Sequence, residues 1–318
     1  MSLLFDIMLK KISIFSHDER VQLRAALDTI DDKQKVCDSI ESIQDTGRHC
    51  PKCGSDHVHR HGLSCDLQRY KCITCGKTFN SLTGTPIARL RKKDRWLTYL
   101  AGMIESDTVR KSAAKVHINR KTSFRWRHRF STWMNSNEPN ELTGIVEVDE
   151  TYYRVSEKGD RHLERKPRKR GSDKGKRGIS HDQLCVLVAC DRSAHDFEAV
   201  TGTAAVKGTW LDIHMKGMIS SDSVMVTDGL GSYVHFAKKE SLTHVIVKDE
   251  RGKRTNGCYH IQHVNAYHHR LRDWITSVFH GVASKNMNHY LWWRHQLENG
   301  KNMNPLELFG ISLGLPHS

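Results

Sequence analysis

GIVEVDETYY, residues 144–153, alternates like a half-buried strand, with Ile145, Glu147 and Asp149 on one face and Val146, Val148 and Glu150 on the other. The strand ends in a knot of carboxylates. A second apolar run, VMVTDGLGSY at 224–233, also ends on a carboxylate, Asp228, and Gly229 and Gly231 open a turn just beyond it. Two strands ending in Asp can lie side by side, so that their carboxylates meet where an α/β sheet forms its crevice. Bare, the two would repel and one would protonate. A divalent cation resolves the conflict, and all-oxygen ligands select Mg²⁺ or Mn²⁺ over zinc. The same spacing also suits two aspartates that merely cap turns after strands.

Around these strands, residues 141–285 read as three strands, a helix, a strand, a helix, a strand and a helix. That is the element order of a ribonuclease H-like α/β fold, although pattern alone supports only α/β or α+β. The chain of 318 residues carries a net charge of +14, which favours polyanionic partners, nucleic acid first and an anionic membrane surface second. No stretch approaches the roughly 20 apolar residues that span a bilayer. The N-terminal SLLFDIML is short, is followed by Lys10 and Lys11, and lacks a cleavage site, so the cytoplasm is the expected compartment.

Four of the nine cysteines form two Cys-x2-Cys pairs, Cys50/Cys53 and Cys72/Cys75. This is zinc-ribbon spacing, and four thiolates leave no open position, so the expected Zn²⁺ is structural. Gly54 and Gly76 follow the pairs, where a knuckle needs positive φ. His57, His59, His61 and Cys65 are rival ligands that a four-cysteine site does not need. Cys37, Cys185, Cys190 and Cys258 read as small core residues.

The expected organisation is a helical segment 1–48, the ribbon 49–85, a helix-turn-helix 86–140, the α/β domain 141–285 and a helical tail 286–318 that packs Trp292 and Trp293 on the core. Ser16 and Glu19 form a capping box ahead of an apolar stripe of Val21, Leu23, Leu27 and Ile30. In the helix-turn-helix, Asn119 or Thr122 caps a second helix expected to expose Arg120, Lys121, Arg125, Arg127, His128 and Arg129 to DNA, while its aromatic residues pack. A plain helical bundle with a solvated basic face is the rival reading. Between the first two strands lies a basic insertion, 157–181. It has ten Lys/Arg over 158–178, among them Arg168, Lys169 and Arg170, and reads as an arm along DNA phosphates or a solvated charge run.

CPKCGS with RYKCITCGKTFNSLTGTP, VEVDETYY, VTDGLGSY, and HIQHVNAYHHRLRDWI with FHGVASKNMNHYLWWRH together cover most of the chain. In these motifs the sequence resembles the zinc-ribbon DDE-type transposases of bacterial insertion sequences. The resemblance implies a ribonuclease H-like core, divalent metals and DNA strand transfer, with Asp149 and Asp228 as the first two catalytic acids. At the third position, where many relatives have Glu, stands Asn265, as in one subgroup. An Asn carbonyl can ligate a hard cation but brings no charge and cannot act as a base. Glu147, on the Asp149 face, is therefore expected to add a carboxylate to the metal, ahead of Glu150. Arg272, two helical turns after Asn265, is expected to contact the DNA end, and His268 and His269 to be solvated. Implied partners are the element's terminal inverted repeats and target DNA, with a homodimer or larger assembly and no membrane. The alternatives are a zinc-ribbon transcription regulator without catalysis and a nuclease that cuts without joining.

Overall fold

The computed structural model describes residues 3–43, 48–134, 141–163, 166, 178–248, 255–300 and 302–315. It divides into two units, residues 1–133 with 304–318 and residues 134–303.

The first unit opens with α1 (Leu3–Lys11) and α2 (His17–Ser42). The capping box forms: Ser16 Oγ accepts from the Glu19 N–H, and the Glu19 carboxylate accepts from the Ser16 N–H. The expected apolar stripe stays largely in solvent, with Val21, Leu27 and Ile30 more than half exposed. Burial begins only at Val36, Cys37 and Ile40, where α2 reaches the ribbon. There Glu41 accepts from the Gln68 N–H at 3.0 Å.

The ribbon is an antiparallel sheet of β1 (Val58–Ser64), β2 (Leu67–Cys72) and β3 (Thr78–Phe79). Its two knuckles repeat one geometry. Gly54 N–H donates to Cys50 O at 2.8 Å and Gly76 N–H to Cys72 O at 3.0 Å, both glycines in the left-handed region at φ +73° and +68°. The sulfurs of Cys50 and Cys75, and of Cys53 and Cys72, lie 3.6 Å apart. A zinc ion with Zn–S bonds of ~2.3 Å sets its tetrahedral sulfurs ~3.8 Å apart, so the four cysteines fit that ion. The Cys75 backbone N–H draws the Cys72 thiol down to about 6, toward the thiolate that such a ligand must be.

Beyond the ribbon stand α3 (Trp96–Ile104), α4 (Val109–Lys115) and α5 (Arg120–Ser131). Thr108 and Asn119 cap α4 and α5 by accepting from Lys111 and Lys121 N–H groups. Trp96, Tyr99, Trp126 and Phe130 form the core, with Tyr99 edge-on to Trp126 at 5.3 Å. Two expected DNA ligands are used inside this unit instead. Arg127 is only 1% exposed and donates to the Asp107 carbonyl and to Ser112 Oγ. Arg129 donates to Pro86 O at 2.7 Å and Ala88 O at 3.2 Å. Arg127 follows from helix geometry: positions 126, 127 and 130 share the buried face of α5, so a guanidinium at 127 must find acceptors inside the unit.

In the second unit the elements are β4 (Ile145–Arg154), β5 (Gln183–Cys190), β6 (Asp196–Thr203), α6 (Gly208–Met215), β7 (Val224–Thr227), α7 (Gly231–Lys239) and β8 (Thr243–Ile246). A small hairpin of β9 (Thr255–Asn256) and β10 (Tyr259–His260) leads into α8 (Gln262–Asp273) and then α9 (Met287–Asn299). The central sheet has the order β6-β5-β4-β7-β8. Strands β4 to β6 are antiparallel neighbours, and β7 and β8 run parallel to β4. This is the ribonuclease H-like arrangement. Val146 and Val148 share one sheet face with Leu187 and Ala189, packed on Leu211 of α6 and on Tyr233 and Phe236 of α7. The opposite face takes α8 against β4 and β5, and α9 against β6. Trp293 is fully buried and Trp292 partly so. Cys37, Cys185 and Cys190 are buried as expected, whereas Cys258, in the turn of the β9–β10 hairpin, is exposed. The last helix, α10 (Pro305–Ser312), belongs to the first unit and sets Phe309 against Trp96 at 5.8 Å. No helix among the described residues is long and apolar enough to cross a membrane.

Two outcomes follow. Arg127→Ala should destabilise the helical unit by about 2–4 kcal/mol in denaturant unfolding, because it opens a cavity and strips a buried carbonyl of its charged donor. The exposed Arg125→Ala should change stability by no more than about 0.5 kcal/mol. Cys72→Ser, or a strong chelator, should make residues 49–85 protease-sensitive while the second unit stays resistant, since a small ribbon folds on its metal.

Candidate active site

Strand β4 does not stop at its carboxylates. It runs on to Arg154, paired with β5 throughout, Asp149 opposite Val188 and Arg154 opposite Gln183. The β-branched and aromatic residues Thr151, Tyr152 and Tyr153 sustain it. What ends near Asp149 is the parallel pairing with β7, whose last partners are Glu147 and Val226. Continuing that register sets Asp149 beside Asp228, just where β7 leaves the sheet. Gly229 makes the departure possible: it has φ +89°, and a Cβ there would lie 2.5 Å from Ile246 Cγ2. Asp228 is exposed and accepts from the Leu230 N–H at 3.0 Å.

Helix α8 lies along the odd-numbered face of β4 in matching steps. Glu147 accepts from the N–H groups of His263 (2.7 Å) and Val264 (3.2 Å). Asp149 Oδ2 is 3.8 Å from His268 Nδ1. Thr151 Oγ1 accepts from Arg272 at 2.8 Å. Two strand residues rise ~6.6 Å and four helical residues ~6 Å, so the contacts stay in phase. Asn265 sits between the first two rungs, exposed, on the helix that carries His268 and Arg272.

The electrostatics are strained in the sense expected of a cation site. Burial, with Glu150 and then Asp228 adding to it, pushes the Asp149 carboxyl up to about 7. Glu150 points to the other sheet face and accepts from the hydroxyls of Tyr152 (3.0 Å) and Tyr233. A half-buried carboxylate beside a second one, with an amide oxygen on the overlying helix, is a donor set that fits a hard divalent ion.

Two expectations need correction. Glu147 does share the Asp149 face, but it is fully buried and its oxygens are already engaged. Besides the two backbone donors, Oε1 meets Arg192 at 3.0 Å, His260 at 3.2 Å and His263 at 2.7 Å. It anchors the start of α8 and is not a carboxylate open to the metal. His268 is not solvated either: it is 8% exposed, and burial, assisted by Arg272, lowers it to about 4, so it faces Asp149 as a neutral ring. The sequence signal for both was the His-rich QHVNAYHH read against strand alternation; Arg192, a loop residue beyond β5, offered none.

On α5, Arg120, Lys121 and Arg125 are exposed, with Phe124 between them 47% exposed. Arg168, Lys169 and Arg170 lie outside the described residues.

Residues 141–293 match the ISXO2-like transposase domain. An uncharacterized protein in transposable element ISH50 of Halobacterium salinarum is 29% identical over 251 residues, 77% of this chain and 83% of that protein. Among solved structures, a pre-cleavage Mos1 transpososome aligns at 12% identity over 69% of this chain and 79% of the matched chain, with a TM-score of 0.23, too low to add to the topology described above. Through residues 141–293, a little under half of its length, the chain is similar to the ISXO2-like transposase domain.

Proposed function

We propose that the chain binds the terminal inverted repeats of its insertion sequence and carries out metal-dependent strand cleavage and strand transfer. The observation that carries this reading is the register of β4 and β7, which sets Asp149 level with Asp228 under the helix that bears Asn265. Asp149, Asp228 and the Asn265 carbonyl would hold Mg²⁺ or Mn²⁺. When bound, such ions stabilise the attacking and leaving oxygens of a phosphodiester. The chain's own part is positioning. The Glu147 anchor fixes the start of α8 and hence Asn265. Neutral His268 backs Asp149 without adding charge. Arg272, steadied by Thr151, offers its guanidinium to a DNA phosphate on the same helix. In the first step water attacks the phosphodiester at the element end and its P–O3′ bond breaks, freeing the 3′-OH; in the second that 3′-OH attacks a target phosphodiester and displaces the target strand's own 3′-oxygen.

DNA capture falls to the N-terminal unit. Arg120, Lys121 and Arg125 lie in the first two turns of α5, the part of a recognition helix that reaches base edges and phosphates. Arg127 and Arg129 drop out because their guanidinium groups hold carbonyls of that unit. The ribbon's four cysteines would hold Zn²⁺ as a structural ion. Joining two ends calls for a homodimer or larger assembly on DNA.

The decisive assay uses a labelled duplex carrying the element's own end, with Mg²⁺ or Mn²⁺. Wild type should yield 3′-end cleavage and joined products, and Asp228→Ala should lose both by at least about a hundredfold while still binding the duplex. Tight binding with no metal-dependent cutting by wild type would leave a DNA-binding regulator and sink the catalytic reading. Glu147→Ala should cost about 3–5 kcal/mol in unfolding of the second unit, the penalty for leaving Arg192 and two helix N–H groups without their buried carboxylate.

A further inference from the structure

The same sheet face that carries Asp149 holds a second constellation, at its far edge. Asp196 and Glu198 alternate onto one side of β6, and His295 of α9 lies over both. His295 Nδ1 is 3.3 Å from Glu198 Oε2 and 3.4 Å from Asp196 Oδ1, and the three ligand atoms all lie within 4.8 Å of one another. The geometry points to a divalent transition-metal site made of Asp196, Glu198 and His295, separate from both the ribbon and the Asp149 centre.

Three observations support it. First, the separations are long for charge-assisted hydrogen bonds, which usually span about 2.7–2.9 Å. They match the ~3.3–3.4 Å edges of a tetrahedron whose corners stand ~2.0–2.1 Å from a central ion, the ordinary reach of imidazole and carboxylate ligands to zinc. Second, the charges do not balance. Asp196 and Glu198 are 7% and 6% exposed, yet the nearby Arg270 and Arg294 both bind Glu298. With a neutral imidazole the pair carries two negative charges, which one dication cancels. Third, the group is supported from behind and open in front. Asn299 donates to Asp196 Oδ1 at 2.8 Å, the kind of outer contact that orients a ligating carboxylate. A cleft of about 700 Å³, lined also by Asn288 and Trp292, gives the ion access and room for water as a further ligand. Mixed nitrogen and oxygen donors suit zinc or manganese. The ion would tie α9 to the edge strand, whether or not the chain cuts DNA.

The test is a zinc count. Full-length protein is equilibrated with zinc buffered at micromolar free ion, and bound metal per chain is measured by mass spectrometry for wild type, His295→Ala, Glu198→Gln, Cys72→Ser and His263→Ala. Wild type should hold zinc beyond the ribbon's equivalent. His295→Ala and Glu198→Gln should each hold one equivalent fewer than wild type and keep the ribbon zinc, while His263→Ala should match wild type. Glu198→Gln retains an acceptor for the imidazole, so it reports even if His295→Ala folds poorly. Cys72→Ser identifies the ribbon's share independently. Equal zinc in wild type, His295→Ala and Glu198→Gln, or a wild type that holds ribbon zinc only, would overturn the site and leave an imidazolium salt bridge.

Discussion

The buried Glu147 carboxylate is the contact on which the rest of the second unit depends. It is a charge with no exposure, and it survives because five donors converge on it: two backbone N–H groups at the start of α8, two imidazoles and Arg192. A negative charge at a helix N-terminus satisfies N–H groups that have no partner within the helix and complements its dipole. The donors come from three parts of the chain: α8, the β9–β10 hairpin and the loop beyond β5. One side chain on β4 thereby sets the register in which α8 crosses the sheet. The positions of Asn265, His268 and Arg272 relative to Asp149 follow from that register.

This sheet is apolar on one face, apart from Glu150, and charged on the other. Val146, Val148, Leu187 and Ala189 bury the face under α6 and α7 and supply the hydrophobic stabilisation. The face under α8 and α9 carries Glu147, Asp149, Asp196 and Glu198. Cross-strand pairing lines them up in two rows, Glu147–Cys190–Asp196 and Asp149–Val188–Glu198. Four carboxylates under two helices would be costly unless each found positive charge. Glu147 finds an arginine and helix dipoles. Asp196 and Glu198 share one histidine. Asp149 faces a neutral histidine and another carboxylate, and burial together with Glu150 and Asp228 raises its affinity for a proton.

In the first unit the same economy governs the arginines. A basic helix predicts a row of cations facing outward, yet Arg127 and Arg129 hold carbonyls of their own unit. Long side chains with several donors can tie loops together from inside a helical packing, and charge counts cannot tell that use from DNA contact.

Period and spacing made much of this legible in advance. The two Cys-x2-Cys pairs and their glycines announced the ribbon, because a tetrahedral site needs paired thiols on tight turns. The Ser16–Glu19 box announced the start of α2, and the run of strands and helices announced the sheet. Alternation along 145–150 correctly divided the carboxylates between two faces. What alternation could not say was which of them would be consumed. That Glu147 anchors a helix, that β4 continues past Asp149, that His268 is buried, and that Val21, Leu27 and Ile30 stay in solvent all depend on partners distant in sequence. Local sequence determines which face a side chain occupies, because backbone geometry is local. Only tertiary structure decides whether the group on that face meets a donor, a like charge or water, because burial and pairing are properties of the packed chain.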